Sequence, residues 1–284
     1  MEPLHYVSST SQFSRIGPGL VVKAPMEVSK ENPDHKQLEE HNAKAIDVEA
    51  QILKRLGRHP RIVPFHGVND TGILLSEAVH GNLQAYIDSN NPTIDTALRW
   101  KWSLQAAEAI AFLHEKGVIH SDLRPENYLV HATVEPGDDV DPSPSLDLWL
   151  CDFGGSVCEE LGLDGGHLPN DPFFDHRKPW VSTRQTDIFS LGSVFFNILT
   201  GYWPYREGPP PKSMEGIIAY EKEVNELFTA SKFPDVSKSS GGNVIKGCWD
   251  YRYQTAQDVV EAIKREIAVL GMQLTGSRRA SNSG

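Results

Sequence analysis

His120-Ser121-Asp122-Leu123-Arg124-Pro125-Glu126-Asn127 joins an apolar helical run to the strand-like Tyr128-Leu129-Val130. Past an acidic stretch rich in Pro, Asp and Ser, Val134 to Leu146, a second strand-like run ends in Leu148-Trp149-Leu150-Cys151-Asp152-Phe153-Gly154. The acidic stretch reads as a solvated loop. Taken alone, Asp122 and Asp152 could each cap a turn, so the reading rests on both motifs occurring together and in this order.

Working outward, the pattern changes along the chain. Upstream, Gly17-Pro18-Gly19 is turn chemistry and Leu20-Val21-Val22-Lys23 is a short strand. His35 to Leu56 is helical, with Ala45, Val48, Ile52, Leu53 and Leu56 at three- and four-residue steps and Gly57 closing the run. Ile62 to Phe65 and Ile73 to Ser76 read as strands. From His80-Gly81 onward helices dominate: Leu83 to Ile87, Ala97 to His114, Asp187 to Leu199, Met214 to Phe228 and Ala256 to Leu270. A small strand-rich part followed by a larger helical part predicts two lobes that meet near Val79.

The two motifs carry a family resemblance. The chain resembles the eukaryotic protein kinases, whose catalytic loop reads H-R-D-L-x-x-x-N and whose metal motif is D-F-G. The likeness extends from about Tyr6 to Leu270. It implies an α+β, bilobal kinase-like fold. Residues 1–79 would form a small β-rich nucleotide-binding lobe with one helix, and 80–270 a larger, mainly helical lobe. Residues 271–284, poor in apolar side chains, are expected to be a disordered tail. By this resemblance Asp122 accepts the proton of the substrate hydroxyl, Arg124 reaches the γ-phosphate in place of the family's Lys, and Asn127 and Asp152 hold Mg²⁺. Val21-Val22-Lys23 matches the strand whose Lys meets the α- and β-phosphates of ATP, and Glu49 matches its helical partner. Ser76 takes the position before the linker between lobes, where Glu77, Ala78 and Val79 face the adenine. Asp187, in Asp187-Ile188-Phe189-Ser190-Leu191-Gly192, supports the catalytic loop or simply caps its helix. His120, Phe153 and Leu53 are packing residues.

The departures are specific. Set on the phosphate loop G-x-G-x-x-G-x-V, the chain reads Ser9-Thr10-Ser11-Gln12-Phe13-Ser14-Arg15-Ile16, with serine for every glycine and only the aromatic, Phe13, retained. Serine forfeits some of the backbone freedom that glycine brings to a phosphate. The short link from Ile16 to Lys23 predicts abbreviated second and third strands. Ser121 replaces the Arg that meets a phosphorylated activation loop, which implies activity independent of that modification. Phe173-Phe174-Asp175 stands where A-P-E is expected, and either Arg252 or no residue pairs with Asp175.

Composition limits the rest. Lys plus Arg number 27 and Asp plus Glu 38, a net charge of −11. So acidic a chain has no general field for nucleic acid or anionic membrane. The three cysteines, Cys151, Cys158 and Cys248, show neither metal spacing nor a disulfide framework, which predicts a reducing, cytoplasmic setting. Cys151 reads as a small hydrophobe. The eleven histidines form no metal motif. Ile188 to Thr200 is too short and too polar to span a bilayer, and no signal peptide is visible at the start. Arg278-Arg279-Ala280-Ser281 has the form of a basophilic phosphorylation motif, a match that short sequences reach by coincidence. The expected function is transfer of the γ-phosphoryl group of ATP, with Mg²⁺, to a Ser or Thr hydroxyl of a protein substrate. The Asp-Leu-Arg-Pro-Glu-Asn loop resembles Ser/Thr kinases and Cys248-Trp249 the tyrosine-kinase-like branch. A pseudokinase scaffold and a small-molecule kinase are the alternatives. Oligomeric state is not legible.

Overall fold

The computed structural model describes residues 2–4, 6, 8–133, 145–206, 208, 211 and 213–272. Five antiparallel strands, β1 (Glu2–Leu4), β2 (Ser11–Gly17), β3 (Leu20–Pro25), β4 (Phe65–Val68) and β5 (Ile73–Ser76), form one sheet in the order β1-β2-β3-β5-β4. Helix α1 (His35–Leu56) lies between β3 and β4 in the chain and packs against β3. It buries Ile46, Val48, Glu49, Ile52, Leu53 and Leu56, and Gly57 ends it at a positive φ of 66°. Glycine tolerates that angle without a Cβ clash.

Behind the sheet lies the helical lobe. Its helices are α2 (Leu83–Asn90), α3 (Thr96–Glu115), α4 (Arg184–Thr200), α5 (Met214–Thr229), α6 (Gly242–Trp249) and α7 (Ala256–Val269). The lobe also holds two hairpins: β6 (Tyr128–Thr133) with β7 (Ser145–Leu150), and β8 (Val157–Cys158) with β9 (Leu163–Asp164). Helix α3 is apolar on most sides, as a helix at the centre of a lobe must be. Trp100, Trp102, Ala106, Ile110 and Leu113 on it are fully buried among α4, α7 and β7. No helix among the described residues is long and apolar enough to cross a membrane. The bilobal α+β architecture is as expected.

Several local expectations are corrected. The strand expected over Ile62 to Phe65 begins only at Phe65, because Ile62 instead bridges to Leu150 and Val63 donates to the Leu150 carbonyl at 3.0 Å. These bonds tie the first lobe to the second. Strands β2 and β3 are not abbreviated: they run seven and six residues, since Pro18 and Gly19 turn the chain within two residues. Ser145 and Leu146, assigned to the acidic loop, open β7, while residues 134–144 and the tail after 272 lie outside the described residues. Helix α6 was not legible. Its Gly242 and Gly247 look like helix breakers, yet a Cβ on Gly242 would lie 1.9 Å from the Val236 carbonyl oxygen, and one on Gly247 would lie 2.4 Å from the Tyr253 ring. Close packing, not a turn, requires them.

Candidate active site

Strand β3 carries Lys23 on the face that looks toward the helical lobe, and α1 brings Glu49 to meet it. Lys23 Nζ donates to Glu49 Oε2 at 2.5 Å and to Asp152 Oδ1 at 2.7 Å. The Lys23 and Glu49 side chains are buried; that of Asp152 is 36% exposed. Burial works against the Lys23 ammonium, but Asp152 and Glu49 outweigh it and raise its pKa. Burial likewise opposes the Asp152 carboxylate, yet Lys23 holds its pKa below the ordinary range. One ammonium faces two carboxylates here, and burial raises the pKa of Glu49 while Lys23 holds that of Asp152 down. Asp152 itself sits at φ 64°, a strained angle for a residue with a side chain. Phe153 beside it is fully buried and lies edge-on to His120 at 5.3 Å.

The loop that carries Asp122 hangs on Asp187, in the first turn of α4. Its carboxylate accepts from the backbone N–H of His120 (2.8 Å) and of Ser121 (3.0 Å) and lies 3.0 Å from His114 Nε2. Both roles considered for Asp187 reduce to this one: Thr183, not Asp187, caps the helix through a capping box with Thr186. The anchoring holds Ser121 at φ 73°. Asn127 Nδ2 donates to the Asp122 carbonyl at 2.6 Å and reaches its Oδ2 at 3.3 Å. The Asn127 carbonyl in turn accepts from Cys151 N–H at 2.9 Å. That bond sets the residue before Asp152 against the loop that carries Asp122. Arg124 and His167 lie 3.5 and 3.7 Å from Asp122 Oδ2, while Asp122 Oδ1 is buried with no hydrogen-bond partner. Such an orphaned oxygen is costly unless a donor arrives. Cys151 is a hydrogen-bonded, partly buried thiol whose pKa burial pushes well up, consistent with an inert packing role.

The roof of the cleft differs from expectation. Ser11, Phe13 and Ser14, assigned to a phosphate loop, are strand residues of β2 paired with β3. The connection from β1 to β2 spans residues 5–10 instead. A serine-rich segment without glycine reads equally as strand, which is why the sequence placed the turn too late. Phe13 still faces the cleft, with Lys23 Nζ 5.8 Å from its ring centroid. The linker follows β5 directly. Glu77 gives its backbone N–H to the Gly19 carbonyl at 2.9 Å, so this amide is not presented to a base. Its carboxylate is bound by Arg15. Val79 is 73% exposed.

In the segment before α4 Asp175 is buried, as a structural carboxylate should be, but its partner is neither Arg252 nor absent. Arg177 binds it through Nε at 2.7 Å and Nη2 at 2.9 Å, and Tyr251 Oη donates to it at 2.7 Å. Arg252 is turned to the Asn243 carbonyl. Burial opposes the Asp175 charge, but these donors win and lower its pKa. Arg177, His167 and Arg15 were all missed. Only Arg177 left a signal, a basic residue two places after an acid in a segment that must pack.

Comparison with known proteins agrees with this geometry. The chain matches the protein kinase domain over residues 21–165. It is 33% identical over 175 residues to the probable serine/threonine-protein kinase gdt4 of Dictyostelium discoideum, covering 58% of this chain and 10% of that protein. It is 32% identical over 231 residues to human ribosomal protein S6 kinase alpha-3, covering 75% of this chain and 26% of the relative. The rat ribosomal protein S6 kinase alpha-1 is 28% identical over 228 residues, with 75% and 26% covered. The chain therefore spans a tenth to about a quarter of the length of these relatives.

Proposed function

The chain belongs to the protein kinase domain family, and on that premise we propose that it transfers the γ-phosphoryl group of ATP to a Ser or Thr hydroxyl of a protein substrate. The observation that carries this is the buried Lys23–Glu49 pair closed onto Asp152, next to the Asp122–Asn127 hook. Phosphoryl transfer needs placement and charge neutralisation more than covalent help. Lys23 binds phosphate oxygens and is held in place by Glu49. Asp122 accepts the hydroxyl proton as the new oxygen–phosphorus bond forms and the bond to the β-phosphate oxygen breaks. Asn127 holds the Asp122 backbone and carboxylate still. Arg124 lies close enough to neutralise charge on the transferred group.

A divalent cation, Mg²⁺ in the family, fits the donors present. Asp152 and Asn127 offer hard oxygens, and the cluster around Lys23 has a carboxylate in excess. Among the described residues no group of three or more His, Cys, Asp or Glu is suited to a metal, and Asp152 and Asn127 are the residues that would hold the ion. When bound it offsets phosphate charge.

A second reading, a pseudokinase scaffold, is favoured by one feature: no glycine stands between Glu2 and Ile16, where a phosphate must be approached by backbone. The test is labelled ATP with Mg²⁺ and generic protein substrates, wild type beside Asp122→Asn. Label on Ser or Thr that vanishes in the variant supports the kinase reading. Well-folded wild type that transfers nothing, with Mn²⁺ as well, establishes the scaffold.

A further inference from the structure

The roof of the cleft carries a charged latch. In β2 the odd-numbered residues face inward: Phe13 lies across from Lys23 and Arg15 across from Val21. Lys23 reaches Glu49 and Asp152, so this is the face over the cleft. Arg15 stands two residues along the strand from Phe13, or roughly 7 Å. The direction is toward the linker, since Val21 pairs with Leu75 and Leu20 with Ser76. From there the Arg15 guanidinium grips Glu77 with both arms, Nε to Oε2 at 2.8 Å and Nη2 to Oε1 at 2.5 Å. Its remaining Nη1 binds Glu2 of β1 at 2.7 Å. Glu77 is only 8% exposed, and its carboxyl is held below the ordinary range first by the Arg15 hydrogen bonds. The Tyr6 hydroxyl adds to the same carboxylate, and the Tyr6 ring stands edge-on to Phe13 at 5.4 Å.

This position has a consequence for a nucleotide. Its phosphates meet Lys23 and its terminal phosphate lies toward Asp122. The base must then extend the other way along β3, toward Val21 and the linker. Arg15 and Glu77 meet across that path. A forked guanidinium–carboxylate pair is among the stronger polar contacts of proteins, and a flat, uncharged base cannot replace it in place.

We propose that the Arg15–Glu77 pair is a latch over the base end of the cleft, one that a nucleotide opens in order to bind, and that it sets the nucleotide affinity of this chain. The proposal rests on the nucleotide reading above and adds a determinant to it. A site that is competent only when the latch is open binds with an affinity reduced by the fraction of time it is open. If the latch is closed nine times in ten, its removal tightens binding about tenfold.

Two measurements test this on the whole chain. Binding of Mg·ADP is followed by calorimetry for wild type, Arg15→Leu and Glu77→Gln. Hydrogen exchange is followed at the backbone amides of β2 and of residues 77–81 without nucleotide. The latch predicts roughly tenfold tighter binding in both variants, faster exchange confined to those segments, and wild-type affinity that improves with added salt while that of Arg15→Leu does not. Arg15→Leu that binds more weakly makes Arg15 a contact of the nucleotide and overturns the latch. Equal binding with unchanged exchange also overturns it and leaves the nucleotide reading intact. Absence of binding in all three proteins defeats the nucleotide reading and the latch together, whereas binding by the variants alone is the strongest support for both.

Discussion

The floor of the cleft and its two rims are held by different kinds of polar contact. On the floor the partners come from distant segments: Lys23 meets Asp152 across 129 residues, and Asp187 meets Ser121 across 66. At the substrate rim they are nearly adjacent in the chain, Arg177 with Asp175 two residues away and His176 with Asp171 five away. At the roof Arg15 crosses from β2 to the linker. Floor pairs fasten one lobe or loop to another, so each residue is fixed in type and place by the chemistry it serves. The pairs around Asp175 and Asp171 neutralise a buried carboxylate with a cation a few residues away, whereas Arg15 reaches Glu77 across 62 residues.

The largest effect that sharpens this contrast is expected at Asp122. Asp122→Asn keeps the shape and removes the proposed proton acceptor, and should lower kcat by a factor of about 10² to 10⁴ with an unchanged melting temperature. A drop below tenfold would move the base elsewhere and weaken the claim that the floor is catalytic.

Lys23→Met comes next, because it acts on stability as well as turnover. It leaves Glu49 buried without its cation. Breaking a buried pair in this way costs about 3–5 kcal/mol. The melting temperature should fall clearly, and the loss should shrink in Lys23→Met/Glu49→Leu, which removes the stranded carboxylate. A double variant no more stable than the single would show that Asp152, not Glu49, dominates the cluster.

These floor residues were legible in the sequence because their spacing follows from one chemistry. Asp122, Asn127 and Asp152 occur in two motifs whose order leaves little choice, and Lys23 and Glu49 follow from the family resemblance that those motifs carry. The helices were legible for a similar reason: α1 and α4 begin and end within a few residues of expectation. What was not legible depends on side chains that satisfy one another locally. Ser11 and Ser14 suit a loop and a strand equally, and only pairing with β3 decides between them. Glu77 looks like any linker acid until Arg15 is placed opposite it. Gly247 looks like a breaker until the Tyr253 ring is placed over it.

The rim can be tested at its strongest point by a pair of variants. Arg177→Ala strips the buried Asp175 of a two-armed partner and should cost about 2 kcal/mol. Arg252→Ala removes a cation that donates to the Asn243 backbone carbonyl, and should change stability by less than about 0.5 kcal/mol. Chemical denaturation of the two proteins checks this. The reverse ranking would return Arg252 to the role expected from sequence and erase the local character of the rim.

The smallest effect separates floor from rim by pH. Lys23 is raised and Asp152 lowered, so both stay charged through the neutral range. His176 does not. Its hydrogen bond with Asp171 raises its folded pKa above the usual histidine value, against a smaller opposing effect of burial. A raised folded pKa means the folded protein holds the proton more tightly than the unfolded chain. The stabilisation is therefore complete below about pH 6.5 and is lost as pH rises through the higher folded value. His59 and His131 act in the opposite sense, since burial lowers their folded pKa, and their contribution grows as pH rises toward 6.5. The two kinds of histidine thus work on different sides of the same pH. Melting temperature measured from pH 5 to 9 should show a decline of about 1–2 °C above 6.5 in wild type, small because the imidazole is partly exposed. His176→Gln should flatten that decline and leave the slope below 6.5 unchanged. A decline that persists in the variant would place the neutral-range titration at another group and remove His176 from the pairs that hold the rim.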